Sequence, residues 1–149
     1  MSNEELIAVT GSTGYVGGRL VPRLLESGYR VRCVTRSKES LANRSWSNQV
    51  DIVEADLQNK DQTLTALADA DRAFYLVHSM TEGHEFRNLD NKAAENFVKL
   101  QPNLPHVIYL GGLLPKGDSV SEHLASRAET GAILAQNLPT TEFRAGPVI

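Results

Sequence analysis

One cysteine and one tryptophan are all that the 149 residues contain of either type, aromatic residues make up 6%, and positive charge is not in excess. Cys33 alone cannot form an internal disulfide, which agrees with a reducing cytoplasm. No partner for thiol chemistry lies near it in sequence, so it reads as a small buried residue of a strand. A membrane-spanning run is lacking: VIYLGGLL at Val107–Leu114 is too short and carries two glycines. A net charge of -3 argues against a nucleic-acid surface as the main function. The opening MSNEEL is polar and acidic, unlike a secretory leader, and supports the expectation of a cytoplasmic protein. Internal repeats and low-complexity segments are absent too. What remains, 41% hydrophobic and 22% charged residues, describes one ordinary globular domain over residues 1–149 with a sizeable core.

The most informative stretch is Leu6–Gly18, LIAVTGSTGYVGG. A short apolar run reaches Thr10, turns on Gly11, Gly14 and Gly17, and enters a helical pattern at Tyr15–Ser27 with Val16, Leu20, Leu24 and Leu25 at helical spacing. Strand, glycine turn and helix in this order are the layout of a dinucleotide-binding unit. Gly11 allows the sharp turn, Gly14 lacks a Cβ that would obstruct a pyrophosphate, and Gly17 lets the helix lie close to the sheet. The free amides of the first helical turn, from Ser12 and Thr13 through Tyr15 and Val16, then face the phosphates. Pro22 is expected to kink this helix or shift its start.

A second strand, Val31–Thr35, ends in Arg36-Ser37-Lys38. NAD-selective sites carry an acid at this place to accept from the ribose hydroxyls. Here a guanidinium and an ammonium stand there, and the nearest carboxylate in sequence, Glu39, follows both. A guanidinium grips a 2′-phosphate in a fork, so NADP(H) is preferred and NAD(H) remains possible. Leu41–Asn48 reads as a short helical turn in which Trp46 covers an edge of the core. Val50–Ala55 is the third strand, and its end delivers Asp56 and Leu57. Asp56 either receives the adenine amino group or is a turn or capping aspartate, and Leu57 is placed to cover the adenine ring. Asn59 to Gln62 has the spacing of a capping box before a helix through Leu64, Leu67 and Ala68.

Ala73–Val77 is the fourth strand, leading to His78; Val77 and His78 are expected to contact the cofactor near its middle or nicotinamide half. A helix over Thr81–Leu100 turns Phe86, Leu89, Ala93, Asn96 and Phe97 inward and leaves Glu85, Arg87, Asp90, Lys92 and Glu95 to solvent. The fifth strand, His106–Leu110, exits through Gly111 and Gly112, which either admit a ligand's close approach or form a flexible exit. A last helix over Ser121–Asn137 and a sixth strand over Thr141–Ala145 complete an α/β alternation. The expected architecture is a Rossmann fold, a doubly wound parallel six-stranded sheet of order 3-2-1-4-5-6 with helices on both faces.

The set TGSTGYVGG (Thr10–Gly18), VTRS (Val34–Ser37), YLVHSM (Tyr75–Met80), YLGGL (Tyr109–Leu113), SEHLASRAETGAIL (Ser121–Leu134) and FRAGPVI (Phe143–Ile149) resembles the atypical short-chain dehydrogenase/reductase superfamily, and within it the NmrA-like, nucleoside-diphosphate-sugar-epimerase-like group. The resemblance implies an NAD(P)-dependent oxidoreductase or epimerase acting on a small molecule. It also implies a Tyr-x-x-x-Lys pair on the helix after the fifth strand, where the phenol exchanges a proton and the ammonium lowers its pKa. The sequence has no such pair. His123 and Arg127 stand in the corresponding places and are the weak catalytic candidates, against the alternative of a solvated helix surface. Relatives also add a C-terminal substrate region, and GPVI at Gly146–Ile149 reads as an interrupted crossing, so a truncated chain is expected. The expected function is an NADP(H)-binding domain of a reductase or epimerase-like enzyme; its alternatives are a non-enzymatic NADP(H) sensor and a structural domain with a vestigial site. No metal site is expected, and the residues do not indicate an oligomeric state.

Overall fold

A computed structural model describes residues 5–77, 85–114, 116–117 and 119–146. Six parallel strands form one sheet: β1 (Leu6–Thr10), β2 (Arg30–Thr35), β3 (Asp51–Glu54), β4 (Arg72–Tyr75), β5 (Val107–Gly112) and β6 (Thr140–Ala145). Their order is β3-β2-β1-β4-β5-β6, as the alternation of elements predicts. The order reverses beside β1, which is where open α/β sheets leave a crevice for a ligand. All five residues of β1 are buried, as a strand covered on both faces requires.

Two apolar layers flank the sheet. On one face α1 (Tyr15–Glu26) packs Val21 and Leu24 against Ile7, Val9, Val31 and Cys33. Leu41 and Trp46 close this layer, so the tryptophan does cover an edge of the core, from a segment that forms short 3-10 turns at Lys38–Leu41 and Ser47–Gln49. On the other face α2 (Lys60–Leu67), α3 (Glu85–Leu100) and α4 (Glu122–Asn137) enclose Tyr75, Phe97, Tyr109 and Leu134. Tyr75 meets Phe97 edge to face at 5.1 Å between ring centroids.

Several boundaries move for identifiable reasons. α1 begins at Tyr15 and runs through Pro22, so the proline does not shift its start. β4 ends at Tyr75, in register with Thr10, instead of continuing to Val77. Beyond it the Thr10 hydroxyl takes over, donating to the Phe74 carbonyl at 3.1 Å and accepting the Leu76 amide at 3.3 Å. β5 includes the two glycines expected to leave it, because Gly111 and Gly112 pair with Arg144 and Ala145 of β6. Asp90 is not on a solvated face. It is 8% exposed and accepts the Ser126 hydroxyl at 3.0 Å between α3 and α4. On the outer part of that helix pair, Arg87 donates to the Glu129 carboxylate, which holds the Glu129 carboxyl below its ordinary range.

Half of the capping box forms. Asn59 Oδ1 accepts the Gln62 amide at 3.1 Å, but the Gln62 side chain reaches the Asp56 amide at 2.8 Å rather than that of Asn59. The Asn59 amide is satisfied by the Asp56 carbonyl at 2.9 Å. Asn59→Ala is expected to lower stability by about 1 kcal/mol, the usual worth of an N-cap, measured as a shift of the urea midpoint. An unchanged midpoint would show that the Gln62 amide finds another acceptor.

Candidate functional site

The carboxyl end of β1 passes into a turn that only small residues allow. Gly11 has φ +78°, and a Cβ there would lie 2.8 Å from the Leu76 carbonyl oxygen. At Gly17 a Cβ would lie 2.3 Å from the Gly11 carbonyl oxygen, so the first turn of α1 sits directly on the glycine turn. The helix N-cap is Gly14, which contributes no side-chain acceptor, and its own amide is held by the Gly11 carbonyl at 3.2 Å. The helix start thus has no side-chain cap, and the positive end of its dipole lies at the turn.

The residues around this turn take different places. Ser12 is fully buried beside Cys33, whose thiol is pushed up to about 11 by burial against a smaller opposing effect of Ser12. Thr13 and Gly14 are exposed and Val16 is half-buried. Tyr15, 54% exposed, carries the Arg19 guanidinium over its ring at 3.6 Å. Arg44, which the sequence did not single out, donates to the Thr13 carbonyl at 3.1 Å and lies across Gly18, where a Cβ would meet its Nη1 at 2.9 Å.

Next to the turn, at the carboxyl ends of β2 and β3, an open cleft of about 520 Å³ is lined by Arg36, Glu54, Ala55, Asp56 and Gln62. Arg36 is exposed, and its guanidinium has no hydrogen bond or ion pair among the described residues. Lys38 is exposed on the same loop, its backbone amide held by Glu54 Oε1 at 3.0 Å. Asp56 makes a turn, with Oδ1 accepting the Gln58 amide at 2.9 Å, while still lining the cleft. Leu57 is turned into the core at 6% exposure; the small apolar wall of the cleft is Ala55. Val77 is half-buried against the larger core, and His78 lies outside the described residues.

At the other end of the crevice the two weak catalytic candidates separate. The His123 ring stacks on Phe86 of α3 at 4.5 Å between centroids, with 16° between the planes. Arg127 instead approaches β5: its Nη1 would be 3.8 Å from a Cβ at Gly112, and its carbonyl accepts the Tyr109 hydroxyl at 2.8 Å. Tyr109 is fully buried, and its phenol is pushed far above the ordinary range by burial, against a smaller lowering by Arg127. Burial thus disfavours ionisation of this phenol. The space beside the glycine pair belongs to the chain's own side chains. A Cβ at Gly111 would meet the Glu142 carboxylate at 2.6 Å, and one at Gly112 would meet Leu124 at 2.6 Å. Among the described residues no group of three or more His, Cys, Asp or Glu could hold a metal, and no helix is long and apolar enough to cross a membrane.

Comparison with known proteins agrees with this fold. Residues 3–99 match the NmrA-like family. A curated relative, the chloroplastic protein TIC 62 of Arabidopsis thaliana, is 37% identical over 83 residues, covering 45% of this chain and 13% of its own length. Among solved structures, the Bordetella bronchiseptica enzyme WbmG in complex with NAD superposes with a TM-score of 0.79 at 13% identity, over 95% of this chain and 53% of its own. The Citrobacter sp. triphenylmethane reductase complexed with NADP(H) gives 0.73 at 21% identity, over 93% of this chain and 48% of its own. The chain thus spans about half of these two enzymes and a small part of the plant protein.

Proposed function

The chain belongs to the NmrA-like family, and from that premise we propose that it binds a nicotinamide dinucleotide, NADP(H) in preference to NAD(H), as the cofactor domain of an oxidoreductase or epimerase-like protein. The observation that carries this reading is the Arg36 guanidinium, without a hydrogen bond or ion pair among the described residues, in an open cleft beside an uncapped helix start. An exposed cation with no hydrogen bond or ion pair among the described residues, one strand away from the glycine turn, is suited to the phosphate on an adenosine ribose. The two solved relatives described above, complexes with NAD and NADP(H), support a dinucleotide without deciding between them.

In this reading the amides at the start of α1 hold the pyrophosphate, with Gly11 and Gly17 keeping turn and helix in contact. Arg36 and Lys38 hold the 2′-phosphate, and Asp56 and Ala55 border the adenine. Val77 follows towards the nicotinamide. When bound, the nicotinamide supplies hydride exchange with a small carbonyl or alcohol, including the transient oxidation of a sugar carbon. Arg127, near Gly112, is a cation available towards the far end of the crevice. Cys33 takes no part, being buried with a raised pKa, and the protein is assigned to a reducing cytoplasm.

A specific observation favours a second reading, a non-enzymatic sensor of the dinucleotide. The chain lacks the tyrosine-lysine pair, and the histidine in the tyrosine's place is stacked on Phe86. Titration by nicotinamide fluorescence tests the binding. NADPH is expected to bind more tightly than NADH, and failure of both to bind would overturn both readings. Oxidation of NADPH with quinone, aldehyde and nucleotide-sugar panels, using the full natural chain, then separates enzyme from sensor. Binding without turnover supports sensing.

A further inference from the structure

The acid missing from the end of β2 is replaced in space by one from the next strand. Glu54 is the last residue of β3 and pairs in register with Thr35, the last residue of β2. That position brings its carboxylate into the cleft that Arg36 and Asp56 also line. Its Oε1 accepts the Lys38 amide at 3.0 Å, and it makes no other hydrogen bond or ion pair among the described residues. The cleft is therefore not simply cationic. One guanidinium shares it with two carboxylates, and the Lys38 amide beside it is already taken by one of them.

We propose that Glu54 sets the ratio of NADPH to NADH binding: its carboxylate accepts from the ribose hydroxyls of NADH and opposes the 2′-phosphate of NADPH. The inference rests on the dinucleotide reading above and adds the residue that limits cofactor preference. A carboxylate is the group that accepts two ribose hydroxyls, and the sequence supplies none at the end of β2 itself. Against a phosphate the same charge is repulsive, and at this exposed site solvent and salt reduce the repulsion without abolishing it. Arg36 and Glu54 thus act on the same ligand atom with opposite sign, and the chain accepts both nucleotides with a modest preference.

Glu54→Gln separates charge from structure, because the amide oxygen still accepts from Lys38 and the loop keeps its anchor. Dissociation constants for NADPH and NADH are measured by fluorescence titration on wild type and variant, with far-UV circular dichroism to confirm that both are folded. NADPH is expected to bind about three- to tenfold more tightly to the variant, with NADH unchanged or about twofold weaker, and the gain for NADPH is expected to shrink as salt is raised. If both nucleotides bind and their ratio is the same in the two proteins, Glu54 has no such role and the inference alone is overturned. If wild type binds neither, the dinucleotide reading fails and takes the inference with it.

Discussion

Gly17→Ala is expected to cost about 3 kcal/mol of stability and to weaken both dinucleotides by more than about tenfold. The added methyl carbon would sit 2.3 Å from the Gly11 carbonyl oxygen and 2.8 Å from the Ser12 Cα, and all of these are backbone atoms that cannot rotate away. Either the first turn of α1 lifts from the glycine turn or Gly11 leaves its φ of +78°. Each movement breaks the alignment of amides that a pyrophosphate needs. The helix propensity gained by replacing glycine with alanine, about 1 kcal/mol, offsets only part of the clash. Gly14→Ala supplies the contrast, since its methyl would come no closer than 3.4 Å to Gly11 O, an ordinary contact. That variant is expected to keep its urea midpoint, so any loss of nucleotide affinity in it reports obstruction of the ligand. A Gly17→Ala protein with unchanged midpoint and affinity would show that α1 does not depend on this contact.

Arg36→Ala is expected to weaken NADPH by about 10- to 100-fold and to change NADH by less than about twofold. The magnitude follows from losing one charge-assisted fork on a phosphate at an exposed site. It leaves no compensating partner behind, because Arg36 has no hydrogen bond or ion pair among the described residues to redistribute. Arg36→Lys should recover part of the loss, since an ammonium restores the charge without the planar pair of donors. Titration of both nucleotides against the three proteins checks this. An equal loss for NADPH and NADH would remove Arg36 from the phosphate role.

How far the sequence could be read follows from where each signal is encoded. The glycine spacing and the four apolar residues and threonine before it are local, and they specified β1, the turn and the start of α1 directly. Sheet order followed from alternation and handedness, which need no knowledge of contacts. Features that depend on a neighbour's side were not legible. Asp90 looks like any surface acid until α4 brings Ser126 against it. Gly111 and Gly112 look like an exit until β6 pairs with them and Glu142 and Leu124 fill the space above. Leu57 follows Asp56 in sequence but faces the opposite way, into the core. Glu54 is sixteen residues from Lys38 and reaches it only through the β2–β3 register. For Arg44 no spacing or motif marks a residue that packs on Gly18, and only the folded chain reveals it.

Trp46, buried at 5% on the α1 side of the sheet, gives the protein an optical property that its one other apolar layer lacks. As the only tryptophan it is a single, unambiguous source of indole emission, which its burial is expected to shift to the blue. It stands two positions beyond Arg44, whose guanidinium donates to the Thr13 carbonyl of the glycine turn. Reduced nicotinamide absorbs where indole emits, so the proposed binding is expected to read out as energy transfer from an unlabelled chain. The same emission, moving to the red as water reaches Trp46, follows the melting of the layer that supports the turn.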